Sequence, residues 1–294
     1  MSHEAPEPVE RDEDAESVDP VHPVQWADPR DAAGQDQPSP RVPATPEAAV
    51  VVFGERLPIA EHFVAILADT GISHGLLGPR ETPRLWDRHV LNCAVVHAAI
   101  TPTGDVQRVI DVGSGAGLPG LALAIARPDL ELQLVEPLAR RTAWLSETVR
   151  QLGVSNVSVH TARAEVLWDT LDAPWVTARA VSKIVQLAEW TLPLLRPGGA
   201  LLALKGSSAQ DELDEGRAAL TRLGVVDARV EAFGAELLGD PTLVLRAVIG
   251  EAVDRRRFRS RQPSSAGSAR RRADRPRGSR RSDPGAGGRR RHQP

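Results

Sequence analysis

The fold of this chain is decided by one stretch, Val109-Ile110-Asp111-Val112-Gly113-Ser114-Gly115-Ala116-Gly117-Leu118-Pro119-Gly120. In it an apolar run leads into glycines at every second position, and a helical stretch follows at 121–127. Glycine allows the unusual backbone angles of a tight turn and lets the main chain approach a ligand closely. The stretch therefore predicts a strand, a turn and a helix, with the turn at the edge of the sheet where open α/β sheets bind ligands.

Apolar runs and helical stretches alternate on the carboxyl-terminal side of this turn. This alternation predicts a parallel sheet covered by helices on both faces. Two late runs are joined by too few residues for a helix, and they predict an antiparallel pair at one edge. The predicted strands are 108–112, 130–135, 157–160, 175–178 and 200–204 with the late pair 225–233 and 242–249, and the main helices after the turn are 137–152, closed by Gly153, and 182–195.

A helical region precedes the first strand. Ile59, Phe63, Ile66 and Leu67 recur at helical spacing, and Gly71 ends this predicted helix. A second helix is predicted over 82–100, with Pro83 in its first turn. We therefore divide the folded part of the chain into a helical N-terminal cap, residues 49–105, and an α/β core, residues 106–250.

Charge is segregated at the two ends of the chain. The 294 residues include 36 Lys+Arg and 39 Asp+Glu, for a net charge of -3. Residues 1–48 hold 12 acids and 3 Arg, whereas residues 254–294 hold 15 Arg and 3 Asp. Apolar residues in both segments lack a period, so neither can bury enough surface to offset its ordering entropy. The sequence predicts a disordered acidic leader, 1–48, and a disordered Arg-rich tail, 251–294.

The single cysteine, Cys93, excludes an intramolecular disulfide framework and any cysteine-cluster metal site. The N-terminus lacks the basic start and apolar run of a secretory signal, and no apolar stretch approaches the roughly 20 residues that span a bilayer. We expect a cytoplasmic, monomeric protein without a resident metal or a membrane partner.

The glycine turn leaves two cofactors open. Gly115, Gly117 and Gly120 satisfy the dinucleotide pattern, and Glu136 follows about 20 residues on, where a ribose-binding acid belongs. These residues fit NAD as well as S-adenosylmethionine. Asp111 favours S-adenosylmethionine, because its carboxylate would repel a pyrophosphate but accept hydrogen bonds from the ammonium of a methionine moiety.

Five segments in this order resemble the bacterial small-subunit ribosomal RNA guanine-N7 methyltransferases, the family first named glucose-inhibited division protein B. The glycine turn alone is generic, whereas the five together are specific, and the two charged ends lie outside the resemblance. The resemblance implies an α/β, Rossmann-like fold dependent on S-adenosyl-L-methionine. The segments are 87–93 (Asp-Arg-His-Val-Leu-Asn-Cys), 111–120, 163–165 (Arg-Ala-Glu), 178–181 (Ala-Arg-Ala-Val) and 204–206 (Leu-Lys-Gly).

The resemblance also implies a set of cofactor-binding residues. It places Gly113 and Leu118 along the cofactor, Ala164 and Glu165 beside the adenine, and Arg179 at the closed end of the site. Together with the turn and the ribose acid, the predicted cofactor-binding residues are Asp111, Gly113, Gly115, Gly117, Leu118, Glu136, Ala164, Glu165 and Arg179.

The chain departs from the family pattern at two places. Asn92-Cys93 stand where the family usually has Asp-Ser, and Pro174 stands where it usually has Asp, with Asp172 displaced. A role that needs a carboxylate at position 92 therefore does not carry over to this chain.

Several polar side chains qualify as a substrate surface. Arg84, Arg88 and Asn92 are four apart, which predicts one helical face with His89 beside it; the face either binds phosphate or is simply solvated. Lys205, one of two lysines, follows the fifth strand at the ligand edge. We predict that Arg88, Arg179 and Lys205 orient the RNA or the cofactor.

Two further features remain open. Arg140 and Arg141 occupy the first turn of a helix, where the helix dipole disfavours cations, so they either bind an external anion or are tolerated by solvent. The six tryptophans mostly fall at the spacing of core residues, so core packing is the favoured interpretation of each, and Trp86 is the best candidate for the alternative, stacking on a base.

The resemblance implies methyl transfer to N7 of a guanine in 16S ribosomal RNA, the 530-loop guanine of the small ribosomal subunit. N7 carries a lone pair and no proton, so its methylation needs positioning and charge stabilisation but no strong base. Three alternatives remain: a methyltransferase for small molecules, an NAD-dependent oxidoreductase, and a nucleic-acid-binding scaffold with a vestigial cofactor fold.

Overall fold

The computed structural model describes residues 42–179 and 182–260. Residues 1–41 of the predicted leader and 261–294 of the predicted tail lie outside these ranges, as do Ala180 and Val181 of the fourth resembling segment.

A seven-stranded sheet forms the core, in the order β3-β2-β1-β4-β5-β7-β6. The first five strands are parallel, and β7 runs antiparallel to both β5 and β6. The predicted α/β class, with a mostly parallel sheet and an antiparallel edge pair, is confirmed. The strands are β1 (Gln107–Val112), β2 (Leu130–Glu136), β3 (Val157–Thr161), β4 (Ala173–Arg179), β5 (Leu195–Lys205), β6 (Val225–Phe233) and β7 (Thr242–Ile249).

Helices cover both faces of the sheet. Side chains along a strand alternate between the faces, so Val109 and Ile110, neighbours in β1, join two different apolar clusters. The helices are α1 (Glu47–Phe53), α2 (Leu57–Ile66), α3 (Asn92–Ala94), α4 (Gly120–Ala126), α5 (Ala139–Leu152), α6 (Ile184–Thr191), α7 (Ala209–Leu223) and α8 (Arg255–Arg259). The first cluster includes residues of α1, α2, α3, α4 and α5, and the second includes residues of α6, α7 and α8.

The cap differs from the predicted single helix over 82–100. The chain forms a 3₁₀ helix at Pro79–Arg84, a π-helical segment at Leu85–Leu91, then α3 and a second 3₁₀ segment at Val95–Ala99. Pro83 has no N–H to donate within a helix, which disfavours a regular α-helix through this point. A π-helical turn is wider than an α-helical turn. The cap therefore presents its side chains in a pattern that a 3.6-residue period does not describe.

The first ten residues of the predicted tail are folded onto the core. Phe258 of α8 is buried and meets Trp168 edge to face, with ring centroids 6.2 Å apart. The Arg255 side chain donates to the carbonyl of Pro193 at 3.2 Å, and Arg255 and Arg259 both pair with Asp169. The prediction of disorder from residue 251 is wrong for 251–260, because Phe258, an aromatic side chain among the arginines, packs against an apolar site.

Removing residues 261–294 should leave the free energy of unfolding unchanged, whereas Phe258→Ala should lower it by about 3 kcal/mol, since it deletes a buried aromatic ring. Chemical denaturation measures both variants. Arg257→Ala, at an exposed position of the same helix, is the matched control. Equal stability of the Phe258→Ala and Arg257→Ala variants would contradict the docking of α8.

Candidate active site

The glycine turn leaves the carboxyl end of β1 with positive φ angles at Gly113, Gly115 and Gly117, at 77°, 52° and 79°. Such angles are costly for residues with a side chain. The Gly113 N–H donates to the carbonyl of Val135 at 2.8 Å, which fixes the turn against β2. The turn lies where the chain order of the strands reverses, with β2 on one side of β1 and β4 on the other. That crevice is where such sheets bind ligands.

The glycines of this turn have different reasons to be glycine. A Cβ on Gly117 would lie 2.5 Å from Leu121 Cδ1, and one on Gly120 would lie 2.3 Å from Leu134 Cδ2. A Cβ on Gly115 would have only the carbonyl oxygen of Gly113, at 3.8 Å, within 4 Å. Gly117 and Gly120 therefore permit close packing, whereas Gly115 faces open space that a ligand can approach.

Asp111 is fully buried beneath this turn. Its Oδ2 accepts a hydrogen bond from the N–H of Gly120 at 3.1 Å, while Oδ1 has no partner among the described residues. Burial raises the pKa of Asp111 to about 7, although the Ser114 hydroxyl, the Gly120 N–H and the positive charge of Arg179 act in the opposite direction. A buried acceptor without a donor is unfavourable. Asp111 is therefore suited to receive a donor from a bound cation.

Glu136 ends β2 and is also buried. Its Oε2 accepts from the N–H of Gly115 at 3.2 Å, and its Oε1 accepts from the N–H of Leu138 at 3.1 Å. Arg141 approaches Oε2 to 3.5 Å, so this arginine pairs with an acid of its own chain. A carboxylate offers about four acceptor sites, so the two backbone donors do not exhaust the hydrogen-bonding capacity of Glu136.

A pocket of about 190 Å³ opens beside the glycine turn. Gly113, Ala164 and Glu165 line it, as the resemblance implied, together with Pro137 and Trp190. Leu118, in contrast, is almost buried within the apolar cluster of the cap and α4. The fold therefore brings the predicted adenine-flanking residues to one pocket, and Leu118 is not among its lining residues.

Arg179, at the end of β4, joins the core to the cap. Its Nη1 donates to Cys93 Sγ at 3.0 Å and to the carbonyl of His89 at 3.4 Å, and its Nη2 lies 2.5 Å from His89 Nδ1. His89 is buried, and its Nε2 lies 2.7 Å from Glu81 Oε2. Burial lowers the pKa of His89, and the charge of Arg179 lowers it further.

Comparisons with known proteins show the family to which the chain belongs. The model of the family described as GidB, rRNA small subunit methyltransferase G, matches residues 56–243. A ribosomal RNA small subunit methyltransferase G from Paenarthrobacter aurescens is 52% identical over 205 residues, covering 70% of this chain and 94% of the relative. Its namesake from Mycobacterium leprae is 50% identical over 208 residues, covering 70% and 83%. The chain belongs to this family.

Among solved structures, a SAM-dependent methyltransferase from Aquifex aeolicus aligns with a TM-score of 0.43 and 18% identity, over 59% of this chain and 99% of that one.

No helix within residues 42–179 and 182–260 of this family member is long and apolar enough to cross a membrane. The same residues contain no group of three His, Cys, Asp or Glu placed to hold a metal ion.

The ammonium of Lys205 in this family member is bound by groups of the same chain. Its Nζ donates to Glu212 Oε1 at 2.9 Å and to the carbonyl of Ser182 at 2.7 Å, and little of the side chain is exposed. Leu204, the preceding residue, pairs with Arg179 across the β4–β5 ladder. Lys205 therefore lies beside the site, but its ammonium holds the segment after β4 to α7.

Arg84, Arg88 and Asn92 line one cavity of about 550 Å³, as their spacing predicted. Its opposite wall is the β6–β7 connection, 237–240. Arg88 is half exposed, and its Nε lies 3.9 Å from Glu81. His89 does not share this face, because its ring turns inward to Arg179.

Trp86 is the one aromatic candidate that the structure removes. It is 3% exposed and packs against Phe53, with ring centroids 6.4 Å apart. Trp86 therefore follows the favoured interpretation, a core side chain of the cap, and not the base-stacking alternative. Sequence reasoning also missed Glu81 and Glu212, which pair with His89 and Lys205. For Glu81 the only signal was an acid eight residues before a histidine.

Gly120→Ala should lower the free energy of unfolding by about 2 kcal/mol, since the new methyl would overlap Leu134 and the carboxylate of Asp111. Gly115→Ala should cost only the backbone strain of a positive φ, about 1 kcal/mol. Denaturant titration of the two variants compares these costs directly. A larger loss of unfolding free energy for Gly115→Ala than for Gly120→Ala would show that a side chain at position 115 does not enter open space.

Proposed function

We propose that this protein transfers the methyl group of S-adenosylmethionine to N7 of a guanine in 16S ribosomal RNA, the 530-loop guanine of the small subunit. Family membership over residues 56–243 carries this proposal, because that stretch includes the glycine turn, the adenine-flanking pocket and Arg179. The small ribosomal subunit is the proposed partner. We infer that the protein acts in the cytoplasm, as a monomer.

The residues at the turn fit the proposed cofactor. When bound, S-adenosylmethionine supplies a methyl group on a positively charged sulfur. Asp111 would hold its ammonium through the buried Oδ1 that lacks a donor, and Gly115 leaves the approach to the turn open. Glu136 would accept from the ribose hydroxyls, and Ala164 and Glu165 would flank the adenine. Gly113 and Gly117 would shape the turn, and Leu118 would support it from the core.

Methylation of guanine N7 requires little beyond the correct orientation of the base and the methyl donor. Guanine N7 has no proton to remove, so in-line attack depends on holding the base and the methyl donor in register. Arg179 donates through Nη1 and one Nη2–H to the cap, and its Nε–H has no acceptor within 42–179 and 182–260. Arg179 would orient the base or the cofactor with its remaining donors, beside the carboxyl group of Asp111.

The cavity at Arg84, Arg88 and Asn92 suits the RNA backbone. Arginine binds phosphate bidentately, and neither guanidinium is buried in protein. Thr242 donates to the carbonyl of Asn92 at 2.8 Å, which holds this face against β7 at the carboxyl edge of the sheet. Lys205 would act from the same edge by holding the segment after β4.

The direct test is to map N7-methylguanine in 16S RNA from cells with and without the protein, by borohydride reduction and aniline cleavage. The proposal expects one cleavage site, in the 530 loop, that disappears without the protein. Purified protein should also methylate 30S particles in a single turnover. Binding without methylation would favour a scaffold, and methylation of small molecules alone would favour the small-molecule alternative.

The affinity for S-adenosylmethionine should depend on Asp111 ionisation. The pKa of about 7 means that the carboxyl is largely protonated below neutrality, and binding an ammonium then requires losing that proton. Kd should therefore fall about tenfold per unit as pH rises from 5.5 toward 7, and then level off. Asp111→Asn should remove this dependence and weaken binding at pH 7.5 by about 1.5–3 kcal/mol. Calorimetry at several pH values measures both.

Stability supplies the control for the Asp111→Asn variant. A raised pKa favours the protonated folded state, so the contribution of Asp111 to stability is present below pH 4 and lost as pH rises through 7. Without cofactor, the Asn variant should then be no less stable than the parent at pH 8. A variant that binds cofactor like the parent would contradict the assignment of Asp111.

The Arg-rich tail should add sequence-independent affinity for RNA. Residues 261–294 contain 11 Arg and 2 Asp. Removing them should reduce the log-log salt slope of RNA binding by about 0.7–0.9 for each phosphate that the tail neutralises, because fewer condensed counterions are released. Filter binding across salt concentrations measures the slope, with a deletion of residues 1–41 as the comparison. An unchanged slope after tail removal would contradict an RNA-binding role for the tail.

A further inference from the structure

The buried His89 ring and the partly exposed Glu81 carboxylate form a pair with a defined protonation pattern. A guanidinium nitrogen can only donate, so His89 Nδ1, 2.5 Å from Arg179 Nη2, must be the unprotonated nitrogen that accepts. An ionised carboxylate can only accept, so His89 Nε2, 2.7 Å from Glu81 Oε2, must carry the hydrogen. Both partners therefore select the same neutral tautomer of the ring.

We propose that His89 and Glu81 are positioning residues for the methyl transfer: His89 holds the guanidinium of Arg179 in its working orientation, and Glu81 fixes the tautomer that does so. This inference rests on the proposed function. Neither residue reaches the cofactor turn itself, and both act through Arg179.

Arg179 needs such a support because its side chain is long and enters the site from a strand end. Its hydrogen bonds to Cys93 Sγ and to the His89 carbonyl use one nitrogen, Nη1. The hydrogen bond to the His89 ring is the one that fixes Nη2 and with it the plane of the group. Removing a positioning residue so that a reacting group shifts by about 1 Å can slow catalysis about 100-fold.

His89 and Glu81 also connect the glycine turn with the cavity proposed for RNA. Arg179 is close enough to Asp111 for its charge to lower the carboxyl pKa, and Glu81 lies 3.9 Å from Arg88 on the cavity proposed for RNA. Asp111, Arg179, His89, Glu81 and Arg88 thus form a chain from the glycine turn to the substrate face. Charges of opposite sign alternate along this chain, with the neutral ring between Arg179 and Glu81.

The same hydrogen bonds would exist if they served only to hold the cap to the core. The test must therefore separate the contribution of the Nδ1 side of the ring from that of the Nε2 side. Asparagine at position 89 places an amide oxygen near Nδ1, which keeps an acceptor for Arg179 and gives up Glu81. Glutamine places its amide near Nε2, which keeps Glu81 and gives up Arg179. A structural tie predicts that both variants lose activity in proportion to stability.

The experiment measures kcat, KM for 30S particles, KM for S-adenosylmethionine and Tm for both variants. We expect His89→Gln to lower kcat about 100-fold and His89→Asn less than fivefold, with both KM values within threefold of the parent. His97→Gln is the matched control, since His97 is a half-buried histidine of the same cap without contact to Arg179.

A double-mutant cycle tests the role of Glu81. Glu81→Gln retains an amide oxygen as acceptor and should preserve kcat, whereas Glu81→Ala should lower it about tenfold. In the His89→Asn background, Glu81→Ala should have no further effect, because no tautomer remains to be fixed. Nitrogen NMR of His89 should find Nδ1 unprotonated in the parent protein.

The pH profile gives an independent reading. Protonation of Nδ1 would turn an N–H toward Arg179, so kcat should fall at acid pH with an apparent pKa below 6.5, and this limb should vanish in His89→Asn. The ring faces Arg179 of β4 and Glu81 of the preceding segment, with Arg88 of its own segment nearby. Burial and the two arginines lower its pKa, and Glu81 raises it.

Equal losses of kcat in the Asn and Gln variants, or a ring protonated at Nδ1 in the parent, would overturn this inference while the parent still methylates guanine. A parent protein that methylates no guanine would contradict the proposed function, and this inference with it.

Discussion

The hydrogen bond from the Gly120 N–H to Asp111 Oδ2 holds the architecture of the site together. It ties the end of β1 to the start of α4, so the chain between them must turn within eight residues. The glycines with positive φ satisfy that geometry. A side chain at position 120 would force its neighbours to move, since a Cβ there would lie 2.7 Å from the same oxygen. The second carboxylate oxygen is thereby left beneath the turn, buried and without a donor among the described residues.

Much of the fold was predictable because strands and helices of an α/β core have distinct periods. All seven strands lie where the apolar runs placed them, and Gly153 ends α5 with a left-handed φ of 63°. The failures have long-range causes. Docking of α8 depends on Phe258 meeting Trp168, 90 residues away in sequence, and no local pattern encodes that contact. The broken cap helix follows from Pro83 together with packing of the cap on α4.

The candidate site was likewise predictable only in part. Motif spacing predicted the turn and placed Glu136 at the end of a strand beside it, and the family resemblance pointed to Ala164 and Glu165, which line one pocket with Gly113. Motif spacing could not assign partners to charged side chains. Lys205 looked like a free cation at the sheet edge, yet Glu212 and the Ser182 carbonyl occupy its ammonium. The hydrogen bond of His89 with Arg179 joins residues 90 apart, so the inward turn of this ring was invisible in sequence.

The charges around Arg179 are consistent with the role proposed for this residue in methyl transfer. Methyl transfer moves a positive charge from the sulfonium to the guanine, and an uncompensated guanidinium beside that path would oppose both ends of it. Asp111 lies on one side of Arg179, and Glu81 lies beyond the neutral His89 ring on the other. A protonated ring would add a second cation to the same partly buried space, where charges are weakly screened. The neutral tautomer lets the arginine keep its donors and its orientation while the carboxylates balance its charge.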